Sequence, residues 1–159
     1  MITYREGKVL FNYRVAGIAL DGDRVLLHRM EKDDFWALPG GRGELLEVSR
    51  DTLQREMFEE LGVEIRIERL VWVVENFFEH DEFAFHEIGL YFLIVFPPAS
   101  SVYEKSEAFE GEEEGVRLIF QWFPRHELEK VRLYPAFLRR SLRAIPETTE
   151  HVVHTDVPE

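Results

Sequence analysis

The chain has 159 residues, 45% of them hydrophobic and 13% aromatic, enough for one folded core and far from the composition of disordered chains. Its 31 acidic residues against 19 basic ones leave a formal net charge of −12, which excludes a broad grip on a nucleic acid polymer or an anionic membrane. The absence of cysteine excludes disulfides, thiolate nucleophiles and Cys-based metal centres, and fits a reducing, cytoplasmic setting.

The opening stretch "MITYREGKVLFNYR" is broken by charges too early for the apolar core of a secretory leader, so no export signal is expected. Val15 to Leu20 and Arg24 to Met30 read as two strands joined by an Asp-Gly turn. A loop, "EKDDFWALPGGRGE", follows. From Val48 to Leu61 the period changes: Leu53, Met57 and Leu61 recur every fourth residue, with Phe58 alongside, as on the buried face of an amphipathic helix. Gly62 stands where a helix stop is expected.

"VEIRIERLVWVVENFF" and "FAFHEIGLYFLIVF" predict an antiparallel pair around the turn "EHDE". The apolar run Ile88 to Phe96 is too short to span a membrane and reads as a buried strand. "PPASSVYEKSEAFEGEEEG" is a polar loop and "VRLIFQWF" a strand. "PRHELEKV" and "PAFLRRSLRAI" read as helical pieces with Pro124 and Pro135 near their starts. After Pro146 no period is sustained, which predicts a domain over residues 1–145 and a mobile tail, or a strap across a neighbouring surface, over 146–159. The order strands, helix, strands, helix predicts a mixed sheet between helices, of the α/β (α+β) class.

The stretch "REMFEELG" puts three glutamates on one helical turn. At about 100° per residue, with Leu53 at 0°, Glu56, Glu59 and Glu60 fall between about 240° and 340°, beside the apolar face. Two such carboxylates about 6 Å apart at a partly buried edge repel by roughly 3 kcal/mol at an effective dielectric near 20. Arg55 can offset part of that, and a hard divalent cation the rest, Mg²⁺ suiting carboxylate oxygens better than zinc. By itself an acidic helix face is ordinarily just solvated. Upstream, Pro39-Gly40-Gly41 makes a tight turn at which backbone can approach a ligand closely.

Gly41, five residues, Glu47, seven residues, then Arg55-Glu56-Met57-Phe58-Glu59-Glu60-Leu61-Gly62-Val63 resembles the Nudix box, the signature of the Nudix hydrolases, at every constrained position. Leu45-Leu46 departs from it, standing where many members carry Pro-Gly, and marks a candidate packing or dimer contact. The resemblance implies an α/β/α sandwich and a hydrolase that cleaves a nucleoside diphosphate linked to another group with Mg²⁺ or Mn²⁺. It implies that Glu56, Glu59 and Glu60 bind metal with the Gly40 carbonyl, that Arg55 orients the glutamates, and that Glu47 acts near the metals or braces the loop. A homodimer is expected by family analogy alone.

In-line attack of water needs a proton acceptor, which in this family comes either from the box or from a distant loop. Glu112, Glu113 and Glu114 in "FEGEEEG" are candidates for a distal base, with Glu75 and the pair His86-Glu87 as further ones; each taken singly also reads as a solvated or locally paired residue. Phe35, Trp36, Trp72, Phe77, Phe78 and Trp122 are available to stack on a base, most of them as core. The neighbourhood "FEHDE" carries neither the proline that accompanies ADP-ribose hydrolases nor the tyrosine that accompanies dinucleoside polyphosphate hydrolases, which leaves a nucleoside triphosphate or a related diphosphate as the expected substrate. A non-catalytic nucleotide or nucleotide-sugar sensor is the alternative, disfavoured by the intact acidic box.

Overall fold

The computed structural model describes residues 1–157, apart from the side chain of Glu113. In chain order its strands are β1 (Thr3–Glu6), β2 (Val9–Asp21), β3 (Arg24–Met30), β4 (Gly40–Arg42), β5 (Arg66–His80), β6 (Phe83–Val95), β7 (Phe109–Glu113), β8 (Val116–Pro124) and β9 (Glu150–Thr155). The helices are α1 (Ser49–Leu61) and the single turn α2 (Leu138–Ser141), with 3-10 turns at Ser101–Glu104 and Arg125–Lys130. The strands form one mixed sheet in the order β7-β8-β3-β2-β6-β5-β9, with β1 and β4 also paired to β2. No helix among the described residues is long and apolar enough to cross a membrane.

The β2–β3 hairpin turns at the predicted Asp-Gly site, where Gly22 takes the left-handed φ of 59° that such turns require. Beyond Leu20↔Val25 the two strands part company. Instead β2 runs parallel to β6 from Val9 to Ala19, and β4 takes the β2 edge at Arg14–Ala16. This divergence opens a cleft between β2 and β3, into which the loop before β4 folds through the His28↔Ala37 bridge.

Two apolar layers cover the two faces of the sheet, the expected sandwich. On one, Leu53 and Met57 of α1 meet Val15, Leu26, Phe92 and Phe120. On the other, Leu128, Leu133, Leu138 and Leu142 of the C-terminal segment meet Ile18, Val25, Leu27 and Trp72. Each fully buried side chain of this size contributes about 1.5–3 kcal/mol. Gly62 ends α1 with a left-handed φ of 67°, its N–H donating to the Phe58 carbonyl.

Four expectations need correction. Helix α1 is rolled towards its carboxylates: Glu56 and Glu60 are 5% and 3% exposed whereas Phe58 is 56% exposed, because Thr52, Glu56 and Glu60, not Phe58, flank Leu53 and Met57 on the inward side. The polar loop after β6 ends in β7, anchored by Phe109 stacked on Phe120. The two C-terminal helical pieces shrink to a 3-10 turn and one α turn, since helices this short are marginal and are set by anchoring Leu128, Leu138 and Leu142 rather than by propensity.

The segment expected as a mobile tail or a strap contains β9, parallel to β5 from Trp72↔Glu150 to Phe77↔Thr155, and is not a mobile tail. Thr149 donates to the Leu70 carbonyl, the Asp156 N–H donates to the Phe77 carbonyl, and Val152 packs on the second apolar layer. An open edge on β5 supplies the pairing that a period search of the tail alone cannot see.

Candidate active site

Strand β4 lies against β2, pairing Gly40 with Ala16 and Gly41 with Val15. A Cβ at Gly40 would overlap the Val15 carbonyl, and one at Gly41 would overlap the Glu56 carboxylate. The two glycines therefore let the strand pass directly over an acidic helix turn.

Arg55 organises that turn. Its Nε and Nη2 grip both oxygens of Glu47 at 2.8 and 3.0 Å, and its Nη1 reaches Glu56 Oε1 at 2.9 Å and Glu59 Oε2 at 3.4 Å. Nη2 also donates to the Arg42 carbonyl at 3.3 Å, tying the helix to β4. Glu47 further accepts from the Thr52 hydroxyl at 2.6 Å and from the Glu44 N–H at 3.2 Å. The Arg55 hydrogen bonds, helped by Thr52 and Glu44, outweigh burial and hold the Glu47 carboxyl down at about 2. The same bonds push Arg55 above its ordinary value.

Glu60 faces inward, with Oε2 at 3.8 Å from His28 Nδ1. Burial, with the Arg14 charge, pushes His28 down to about 3, so at neutral pH the imidazole is uncharged and brings no positive charge to Glu60.

Gly40, Gly41, Arg55, Glu56 and His28 line a cleft of about 830 Å³. Its floor is a polar row across three neighbouring strands: Asn12 of β2 pairs with Glu87 of β6, which pairs with Asn76 of β5. All three are buried, at 2%, 7% and 3% exposure. Burial raises the pKa of Glu87, outweighing the Arg14 and Arg42 charges and the two flanking amides, which favour the carboxylate. Arg14 donates to the Leu38 carbonyl at 2.9 Å, joining the floor to the loop before β4.

The structure brings Gly40, Glu47, Arg55, Glu56 and Glu59 together, with Glu60 one turn further along α1 on its inward side. Of the candidate distal bases, Glu114, at φ 47° in the β7–β8 turn, lines the cleft. Glu112 is exposed opposite Arg117, and the side chain of Glu113 lies outside the described residues. Glu75 pairs with His151 at 2.7 Å, and His86 stacks on Phe77, away from the floor. Phe35 and Phe78 line the cleft, whereas Trp72 and Trp122 are core and Trp36 packs edge-on against Phe123. Sequence reading missed Asn12, Arg14 and Asn76. The signal available for Asn76 was an amide interrupting the apolar alternation of "VVENFF".

Among the described residues, no three His, Cys, Asp or Glu side chains stand together in a way that could hold a metal ion by themselves. The donor chemistry nevertheless suits a hard cation: a buried carboxylate, Glu56, lies against the backbone of Gly41 at the lining of the cleft. Mg²⁺ is commonly held in this manner, by one or two carboxylates completed by water and substrate phosphates.

A mixed sheet between α1 and the C-terminal turns, with an acidic helix rim beside a glycine strand, makes an α/β/α sandwich. The NUDIX domain family model matches residues 11–145, and the chain belongs to that family. A MutT-like protein of Streptomyces ambofaciens is 35% identical over 68 residues, 42% of this chain and 44% of that protein, so the match spans less than half of its length. The fold is similar to that of an ADP-ribose pyrophosphatase from Streptococcus suis, at 16% identity and TM-score 0.59, covering 89% of this chain and 98% of that one. It is also similar to a NUDIX hydrolase from Nitrosomonas europaea, at 15% identity and TM-score 0.61, covering 91% and 79%.

Proposed function

We propose that the protein is a divalent-metal-dependent hydrolase that cleaves the phosphoanhydride of a nucleoside diphosphate linked to another group, with a nucleoside triphosphate as the preferred substrate. The observation that carries this reading is the Arg55 clamp: one guanidinium holds Glu47, Glu56 and Glu59 against the Gly40–Gly41 strand at the rim of a cleft of nucleotide size. A structural ion-pair network would need neither the two glycines nor the cleft.

In this reading Glu56, Glu59, Glu60 and the Gly40 carbonyl hold Mg²⁺ or Mn²⁺. Held there, such an ion would supply charge neutralisation on the diphosphate and a more acidic coordinated water. The rest of the work falls to the chain. Arg55 fixes the rotamers of Glu47, Glu56 and Glu59, Glu47 braces the β4–α1 loop through Thr52 and the Glu44 N–H, and neutral His28 backs Glu60 from inside. In this reading Glu114, which lines the cleft where Glu112 does not, serves as the distal proton acceptor.

The test is a screen of nucleoside triphosphates, ADP-ribose, nucleotide sugars and dinucleoside polyphosphates with Mg²⁺, Mn²⁺ or EDTA, with products identified. Pyrophosphate and a nucleoside monophosphate, released only with metal, are expected. Failure to cleave any of these compounds with either metal overturns the proposal.

A further inference from the structure

The floor of the cleft carries a second kind of chemistry that phosphate cleavage does not use. Asn12, Glu87 and Asn76 form one register row, so their side chains emerge on the same side of three adjacent strands. The Asn12 carbonyl oxygen already accepts from the Thr3 hydroxyl at 3.2 Å, which turns its amide nitrogen towards Glu87. Asn76 is the register partner of Glu87 on its other side, and its carbonyl oxygen is buried with no hydrogen-bond partner. The row thus presents two acceptors side by side: a buried carboxylate between two amide side chains, and an amide oxygen left unmatched.

A buried acceptor without a donor costs about 1–3 kcal/mol, and a buried carboxylate is more costly still. The raised pKa of Glu87 expresses that cost. A ligand that brings two adjacent N–H donors would relieve both groups at once.

The next row of the same face tells what carries those donors. Phe85 and Phe78 pair across β6 and β5 two residues beyond Glu87 and Asn76, and their rings stack in parallel at 4.7 Å, both lining the cleft. A pair of aromatic rings lining the cleft beside paired acceptors suits a nucleobase read at its Watson–Crick edge. Among the common bases, only guanine presents two adjacent donors at this edge, N1–H and N2–H₂; adenine and cytosine present one donor beside acceptors, and uracil one donor between two acceptors. The spacing agrees. Asn12 precedes Ala16, the partner of Gly40, by four residues along β2, about 13 Å at ~3.3 Å per residue, comparable to the reach from a base edge to the diphosphate.

We infer that Glu87 and Asn76 form a specificity subsite that selects guanine nucleotides. The inference rests on the reading of this cleft as a nucleotide site, and it names the base. Arg14, two residues from Asn12 on the same strand face, lies between the base row and the β4 glycines.

Titration of the whole protein with GMP, IMP and AMP, in the absence of metal, tests it without any need for turnover. GMP should bind at least about tenfold more tightly than AMP, because the adenine edge sets an acceptor against an acceptor. IMP, which lacks the 2-amino group, should fall between them. Glu87→Gln and Asn76→Ala should each weaken GMP binding by about tenfold or more while changing AMP binding less than about threefold. Equal affinity for GMP and AMP in the wild-type chain overturns the inference, and so does an undiminished GMP preference in both folded variants. Should the variants fail to fold, the wild-type series decides alone. A ribose diol as the true occupant of the floor would show as equal GMP and AMP affinity, since the two share that sugar. Failure of the hydrolase reading shows separately, as GMP-selective binding without cleavage in the metal screen.

Discussion

Arg55 and Glu47 meet through two parallel hydrogen bonds of 2.8 and 3.0 Å, the fork of the guanidinium against both oxygens of the carboxylate. The contact joins the helix to the loop that precedes it, and its spare nitrogen reach is what gathers Glu56 and Glu59. A single planar cation thereby sets the geometry of three carboxylates.

Lysine cannot reproduce this arrangement, since a point charge serves one carboxylate well and the others poorly. Arg55→Lys should lower kcat/KM by about 10- to 100-fold and stability by about 2 kcal/mol. Kinetics on the substrate found in the screen, with urea denaturation, would check both numbers; wild-type activity in the variant would show that the fork is dispensable.

Gly41→Ala places a methyl group where the Glu56 carboxylate now lies. The Glu56 side chain must swing away or β4 must shift, at a cost of about 1–3 kcal/mol, and Glu56 leaves its contact with Arg55. The variant should melt earlier and lose most of its hydrolysis, whereas Gly7→Ala, at a glycine with no atoms near a Cβ but a left-handed φ, should lose stability alone. Thermal melts and activity assays on the pair separate the two effects.

Glu87 has a carboxyl pKa raised by burial above its ordinary 4.5. The folded chain thus holds this proton to higher pH than the unfolded chain does. The associated stability is fully present below about pH 4.5 and is lost as pH rises through the folded value. Glu87→Gln should abolish that portion of the pH dependence and leave the variant at least as stable as wild type on the alkaline side. Melting curves from pH 4 to 9 would reveal the difference; parallel profiles for the two proteins would contradict it.

Ending the chain at Pro146 removes β9 and bares the β5 edge. The loss of Val152 from the second apolar layer and of the Thr149 and Asp156 backbone contacts should cost about 2–3 kcal/mol. Urea titration of the truncated chain measures it, and an unchanged midpoint would mean that β9 contributes nothing to the fold.

Much of this molecule was readable in advance. The Asp-Gly hairpin, the long β5–β6 pair, α1 with its Gly62 stop and the β8 strand all stand where local signals place them, because each depends on residues close together in the chain. The spacing from Gly41 to Val63 also marked the acidic rim, since one loop and one helix carry it. The roll of α1 was not legible: Phe58 and Glu56 lie on either side of the same apolar stripe, and only the packed sheet decides which of them is covered.

The sequence by itself determined the class of the fold, the acidic helix and the glycine bend, all products of short-range periodicity and backbone constraint. Tertiary structure alone decided that the last segment becomes a strand, that Arg55 grips Glu47 across a loop, and that Asn12, Glu87 and Asn76 share one row. Those groupings arise from strand register between segments far apart in the chain, and register is fixed by burial on both faces of the sheet, which no local pattern contains.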